Sequence, residues 1–237
     1  QILKFKNILK NIRQFQPTPV PILGYLLILV MALTLVFIIV PLAFSTKKGV
    51  LSGSFPLFLY FACIGMGFML IEVSQMQRLV MFLGHPSYSL TVVLFTLLLA
   101  SSLGSYTTRT VEESRRRGAG SRRFLLLLAT LTAFAVLTPP VLRAAQGAVT
   151  PLRILAAVLL LAPIGLFMGM AFPLGLKLAS RRSAALTPWM WGINGSLSVC
   201  ASVLSVVIAL SLGIAASFWT GVFFYGLAAL AYLRAAR

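Results

Sequence analysis

Residues 55–83 read FPLFLYFACIGMGFMLIEVSQMQRLVMFL, an apolar run interrupted by one acid, Glu72, and one base, Arg78. Coiled as a single helix, the run is ~43 Å long and overshoots the ~30 Å hydrocarbon core of a bilayer. The same pattern recurs on both sides of it. Apolar stretches at 20–44, 55–83, 88–106, 124–142, 151–179, 188–211 and 214–233 follow one another with short connections. Of 237 residues, 59% are hydrophobic and 10% are charged. A water-soluble helix needs a polar face, and few of these runs have one. The predicted fold is an all-α integral membrane protein, a polytopic bundle of about seven transmembrane helices. Residues 19–237 form the membrane domain, and the short loops make neighbouring spans antiparallel.

The net charge of +17 comes from 20 Lys and Arg set against Glu72, Glu112 and Glu113. The bases fall in loops and at helix ends, where they meet anionic lipid headgroups and set topology. Lipid headgroups are therefore the expected partner, and nucleic acid is not. Odd-numbered loops and the C-terminus carry the larger share of the bases, which points to an N-terminus outside. Lys4, Lys6, Lys10 and Arg13 against Lys47 and Lys48 across the first span argue the reverse. Cys63 and Cys200 lie inside apolar runs and read as small packing residues rather than a disulfide framework. The chain opens on Gln1 rather than Met, as a fragment or processed product would. The 20–44 run is too long for a signal-peptide core.

Residues 1–16, QILKFKNILKNIRQFQ, put Ile2, Phe5, Leu9 and Ile12 at helical spacing, with the lysines mostly elsewhere. This predicts a short basic amphipathic helix on the membrane surface, with 1–18 as helix plus Pro-rich linker. A linker helix packed on another domain fits the same pattern. The longest connection, 107–123, holds six arginines and two glutamates and is predicted to be mobile.

Chemistry concentrates in the 55–83 run. Centred in the bilayer, it puts Glu72 near the midplane, where an ionised carboxylate costs about 2.5–3.5 kcal/mol or more unless paired, hydrated or protonated. Glu72, Gln75 and Arg78 step round the helix by ~60° each, so Gln75 could bridge acid and base. A direct Glu72–Arg78 contact would span ~9 Å along one helix. Gln77 belongs to the same cluster. Two readings stand side by side: a polar site for a head group or proton, and a hydrogen-bonded knot that orients helices. His85-Pro86 follows Gly84 in a turn, where a lone histidine most often bonds the backbone. Asn194, in WGINGS, reads as an interhelical hydrogen-bonder. No metal-ligand set, catalytic triad, paired carboxylates or phosphate-cradling glycine loop is visible, so neither a catalytic residue nor a cofactor is expected in this chain.

Two runs carry packing signals. In 151–179, Pro163 and Pro173 bend the helix, and Gly165 and Gly169 stand at GxxxG spacing. In 188–211, Gly195, Ser198, Ser202, Ser205 and Ala209 line up small residues as a predicted helix-packing seam. Trp189 and Trp191 open that run at the headgroup level.

Three passages, GMGFMLIEVSQMQRLVMFLGHPSYSLTVVLFTLLLASSLGS, APIGLFMGMAFPLGLKL and PWMWGINGSLSVCASVLSVV, resemble one family. It comprises bacterial membrane proteins in which a spermidine-synthase-like domain is flanked by transmembrane helices. The resemblance covers roughly residues 55–212 and looks like the C-terminal membrane region. It implies a multi-pass protein of the bacterial inner (plasma) membrane. It also implies a soluble aminopropyltransferase-like partner domain that would bind decarboxylated S-adenosylmethionine and lie before Gln1, which favours an N-terminus inside. Glu72, Gln77, Arg78, His85, Pro86 and Asn194 fall on recurring positions of such proteins, and no catalytic residue is carried over. Three classes of function follow: an anchoring or scaffolding membrane domain, a structural subunit of a larger membrane complex, and a transporter-like module for a polyamine or other amphiphile. The single intramembrane acid and the strong positive charge weigh against cation transport.

Overall fold

The structure, a computed structural model, describes residues 19–45, 53–109 and 116–236. These are helical, with no strand among them, and seven helices are long and apolar enough to cross a membrane. The chain is a multi-pass membrane protein. Helix α1 spans Pro19–Thr34 and continues through a π-helical stretch, Leu35–Ile39, into Val40–Ser45. Then come α2 (Phe55–Leu83), α3 (Pro86–Tyr106), α4 (Arg116–Ala144), α5 (Thr150–Arg182), α6 (Thr187–Leu212) and α7 (Ile214–Ala235). A 3-10 turn, Ala184–Leu186, joins α5 to α6. The surface helix expected at 1–16 lies outside the described residues.

The helices run past several of the apolar runs. Helix α4 begins at Arg116, so the second half of the connection expected to be mobile is helical instead. Arginine has high helix propensity, which lets the basic residues after 115 continue the helix. Helix starts carry proline within the first two positions in α2, α3, α5 and α6, where its missing N–H costs nothing. Helix α2 stops at Gly84, whose φ of 78° closes the left-handed cap and lets its N–H donate to the Val80 carbonyl.

Helix α2 is the axis of the bundle. It packs against α7, α6, α3 and α5, while α3 pairs with α5 and α4 lies on α5 and α7. Helix α1 rests on α6 at the periphery and buries little of its apolar surface. Apolar area alone drives little association in lipid, so close backbone approach carries the packing. A methyl on Gly67 would stand 3.1 Å from the Gly221 carbonyl, and one on Gly221 the same 3.1 Å from the Gly67 carbonyl. Across α3 and α5, side chains added at Gly104 and Gly169 would overlap the backbones of Leu166 and Ser101. Gly165 faces Leu97 and Ala100 in the same seam.

Helix α6 packs through part of the small-residue seam expected there, Ser198 against α2 and Ser205 against α7, while Gly195 of that seam does not join the contact. Met190, Ala201 and Ser205 are fully buried, and Asn194 and Ser198 lie over Gly65. Gly195 points the other way, with nothing within 4 Å of a Cβ built on it, toward a groove shared with Val30, Thr34 and Phe37 of α1 and its continuation. Ser202 is half-buried and turns its hydroxyl to the Val199 carbonyl. Ala209 is half-buried. Helical spacing alone leaves the seam's phase free by one residue, and the glycines of α2 choose it.

The two ends of the bundle differ. Element order puts Arg109, Arg122, Arg123, Lys177, Arg181, Arg182 and Arg234 at one end, and Arg143 and Arg153 at the other. At the first end Tyr60, Phe124 and Tyr232 form a ring cluster tying α2, α4 and α7, with centroids 5.4–5.8 Å apart. The Tyr60 hydroxyl donates to the Ala171 carbonyl at 2.6 Å, a buried bond between α2 and α5. At the other end the Arg153 guanidinium donates to the carbonyls of Ala148, Phe82 and Gln146, stapling the α4–α5 turn to the end of α2. Cys63 and Cys200 are both buried and unbridged.

Candidate intramembrane site

The polar residues singled out in the sequence do not form one site. Glu72 is 5% exposed and faces protein rather than lipid. No hydrogen bond or ion pair from a described residue reaches its carboxylate. Gln75, fully buried, donates its amide to Ser74 Oγ at 3.1 Å, and Ser74 in turn donates to the Ile71 carbonyl. Gln75 therefore does not bridge Glu72 to Arg78. The Arg78 guanidinium sits over the Phe218 ring at 6.0 Å, and Gln77 is half-buried further round the helix. The hydrogen-bonded knot is shorter than expected because serine offers a nearer partner than a carboxylate one turn away.

His85 is exposed and serves as the N-cap of α3, its Nδ1 accepting from the Ser87 N–H at 3.3 Å. This is the backbone role that a histidine in a turn usually has. Four residues on, Ser89 reaches back to the Met76 carbonyl at 2.6 Å and fastens α3 to α2.

Asn194 lines an intramembrane cavity. Its side chain donates to the Phe61 carbonyl at 3.1 Å, and Ser198 donates to the Asn194 carbonyl at 2.8 Å. The cavity, of about 630 Å³, opens between α2, α3, α5 and α6, with Tyr225 of α7 at its back. Its polar lining is neutral: Ser101, Ser102, Ser105, Asn194, Ser198 and Tyr225. Pro173 adds an acceptor. It has no N–H to give the Gly169 carbonyl one turn earlier, and both residues line the cavity. Phe172 and Trp191, with ring centroids 4.5 Å apart, form an aromatic wall. The space suits an uncharged or weakly polar amphiphile, with hydroxyl and carbonyl groups to orient a head and apolar rings to hold a tail.

Sequence reasoning missed Tyr225 and the serines of α3. The signal for the serines was the run Ala100-Ser101-Ser102-Leu103-Gly104-Ser105, small and polar inside an apolar span. A lone tyrosine in α7 carried no signal before α2 was placed beside it. Among the described residues no three His, Cys, Asp or Glu side chains gather as a metal site would require. No protein-family model, curated protein or solved structure matches this chain.

Proposed function

We propose that this chain is the membrane-embedded anchoring and scaffolding domain of a spermidine-synthase-like protein of the bacterial inner membrane. By itself it catalyses no reaction. The observation that carries this reading is the interlocking of backbones at three crossings: Gly67 on Gly221, Gly104 on Leu166 and Gly169 on Ser101. Helices held so closely resist the sliding or rocking that a carrier needs to expose a site to each side in turn. The acid position also supports a scaffold. Glu72 lies outside the lining of the cavity, so a polyamine cation entering there would meet only neutral groups.

The proposal is tested by purifying the 237-residue chain in detergent beside the full product of its gene. Both are assayed for aminopropyl transfer from decarboxylated S-adenosylmethionine to putrescine. Turnover by the larger protein and none by the chain is the expected result. Turnover by the chain alone refutes the scaffold reading. Silence from both, with partner membrane proteins co-purifying, replaces it with a subunit of a larger complex.

The neutral cavity favours a second reading, a module that binds or moves an amphiphile. Uptake of a labelled polyamine or amphiphile by proteoliposomes holding the chain, abolished by Ser102→Phe, would establish it over the first.

A further inference from the structure

At the basic end of the bundle two cavities adjoin. One, of about 400 Å³, is lined by Gly53, Pro56, Leu57, Leu178 and three arginines, Arg181 and Arg182 of α5 and Arg234 of α7. The other, of about 390 Å³, is lined by Phe55, Pro56, Leu59, Leu227, Leu230, Ala231, Leu233 and Arg234. They share Pro56 and Arg234 in their linings, and the second lies along the outer groove between α2 and α7. We propose that together they form a binding site for one anionic phospholipid, its phosphate among the three arginines and an acyl chain in the groove.

The chemistry of the two parts differs as a phospholipid's does. Among the described residues no acid lines the arginine cavity, and guanidinium groups are the side chains whose forked donors match phosphate oxygens. Arginines in the last turn of a helix commonly answer its C-terminal carbonyls, and Arg181, Arg182 and Arg234 stand in such turns. Dipole compensation does not by itself explain why residues from two different helices line one cavity. Gly53 contributes as well. Its φ of 69° suits glycine, and a methyl there would stand 2.5 Å from an Arg182 guanidinium nitrogen. A side chain at 53 would push that nitrogen out of its place.

The groove is lined almost wholly by carbon. Leu227, Leu230, Ala231 and Arg234 follow one face of α7 over ~10 Å, opposite Phe55 and Leu59 one turn apart on α2. Phe55 is 71% exposed and Leu230 60% exposed, so the groove opens toward lipid. Its charged end lies at helix termini, where headgroups sit. A free phosphate would use the arginines and leave the groove idle. The apolar groove that shares Pro56 and Arg234 with the arginine cavity is what commits the site to a lipid.

The test is native mass spectrometry of the purified chain, titrated with phosphatidylglycerol, phosphatidylcholine, glycerol phosphate or inorganic phosphate. Wild type is expected to retain phosphatidylglycerol at least tenfold better than phosphatidylcholine. Arg181→Gln/Arg234→Gln is expected to remove that preference, and the single Arg234→Gln to weaken it should the double variant fail to fold. Arg143→Gln, at the opposite end, is the control and is expected to bind as wild type does. Leu230→Trp, which fills the groove, is expected to lower phosphatidylglycerol retention severalfold and leave glycerol phosphate unaffected. Equal retention of the two lipids by wild type overturns the proposal. So does full competition by inorganic phosphate together with an ineffective Leu230→Trp, which would make the site an anion pocket without an acyl leg.

Discussion

Ser205 of α6 and Ser217 of α7 share a hydrogen bond of 2.7 Å across the corner at Gly213, and both side chains are fully buried. In the bilayer neither hydroxyl has water as an alternative. Even so, such bonds are worth only about 0.6 kcal/mol on average, because the separated helices also find partners. We expect a double-mutant cycle of Ser205→Ala and Ser217→Ala to give a coupling near that value. The double variant should be no less stable than the worse single one, since it orphans neither group. Unfolding in mixed micelles measures it, and strict additivity of the single losses would show that the bond contributes nothing.

The Gly67–Gly221 crossing supports a sharper contrast. A methyl at Gly67 would also stand 2.9 Å from the Tyr225 ring, so Gly67→Ala must force helices or rings apart. Overpacking of this kind costs about 1–3 kcal/mol. Gly195→Ala, with open space around it, should change stability by no more than roughly 0.5 kcal/mol, as substitutions away from tight contacts do. If thermal unfolding lowers both variants equally, the phase assigned to α6 is wrong.

Glu72 lacks a hydrogen-bond donor among the described residues, which sets the sign of its substitution. Glu72→Gln keeps the shape, removes the ionisable group from the bundle interior, and adds an amide donor. We expect it to unfold no earlier than wild type, because a carboxylate without a hydrogen-bond partner within an apolar span is costly. A loss of more than about 1 kcal/mol on Glu72→Gln would mean that the charge itself is stabilised in the folded protein. Unchanged stability with lost association or transport would instead assign the carboxylate a functional role.

Arg153 should be the most sensitive surface residue at its end of the bundle. Arg153→Ala leaves the carbonyls of Phe82, Ala148 and Gln146 without this donor, for a cost of about 1–3 kcal/mol. Arg153→Lys should recover part of that, because an ammonium cannot reproduce the forked geometry. Limited proteolysis of the α4–α5 turn reads the effect directly. Wild-type protection in Arg153→Ala would show the staple to be dispensable.

Much of this molecule is legible without coordinates. Helix α2 spans the very residues of its apolar run, Phe55–Leu83, because proline near the start and Gly84 at the end are local signals that act on the backbone. The role of His85 follows from its place before Pro86 in a turn. The site was harder to see. Gln75 was paired with Glu72 by helical angle, but the nearer Ser74 hydroxyl takes its amide.

Hydrophobic length and charge by themselves determined that the chain crosses the membrane as helices, roughly where each helix begins and ends, and which ends are basic. These are properties of single segments in a solvent that forbids unpaired backbone groups. Only the tertiary structure decided the rotation of each helix about its axis. It sent Gly195 outward and Asn194 into a cavity, gathered serines from α3 beside Tyr225 of α7, and brought Arg181, Arg182 and Arg234 around one pocket. In lipid every face of an apolar helix is almost equally soluble, so rotation is set by where two backbones can approach, and that depends on both partners at once.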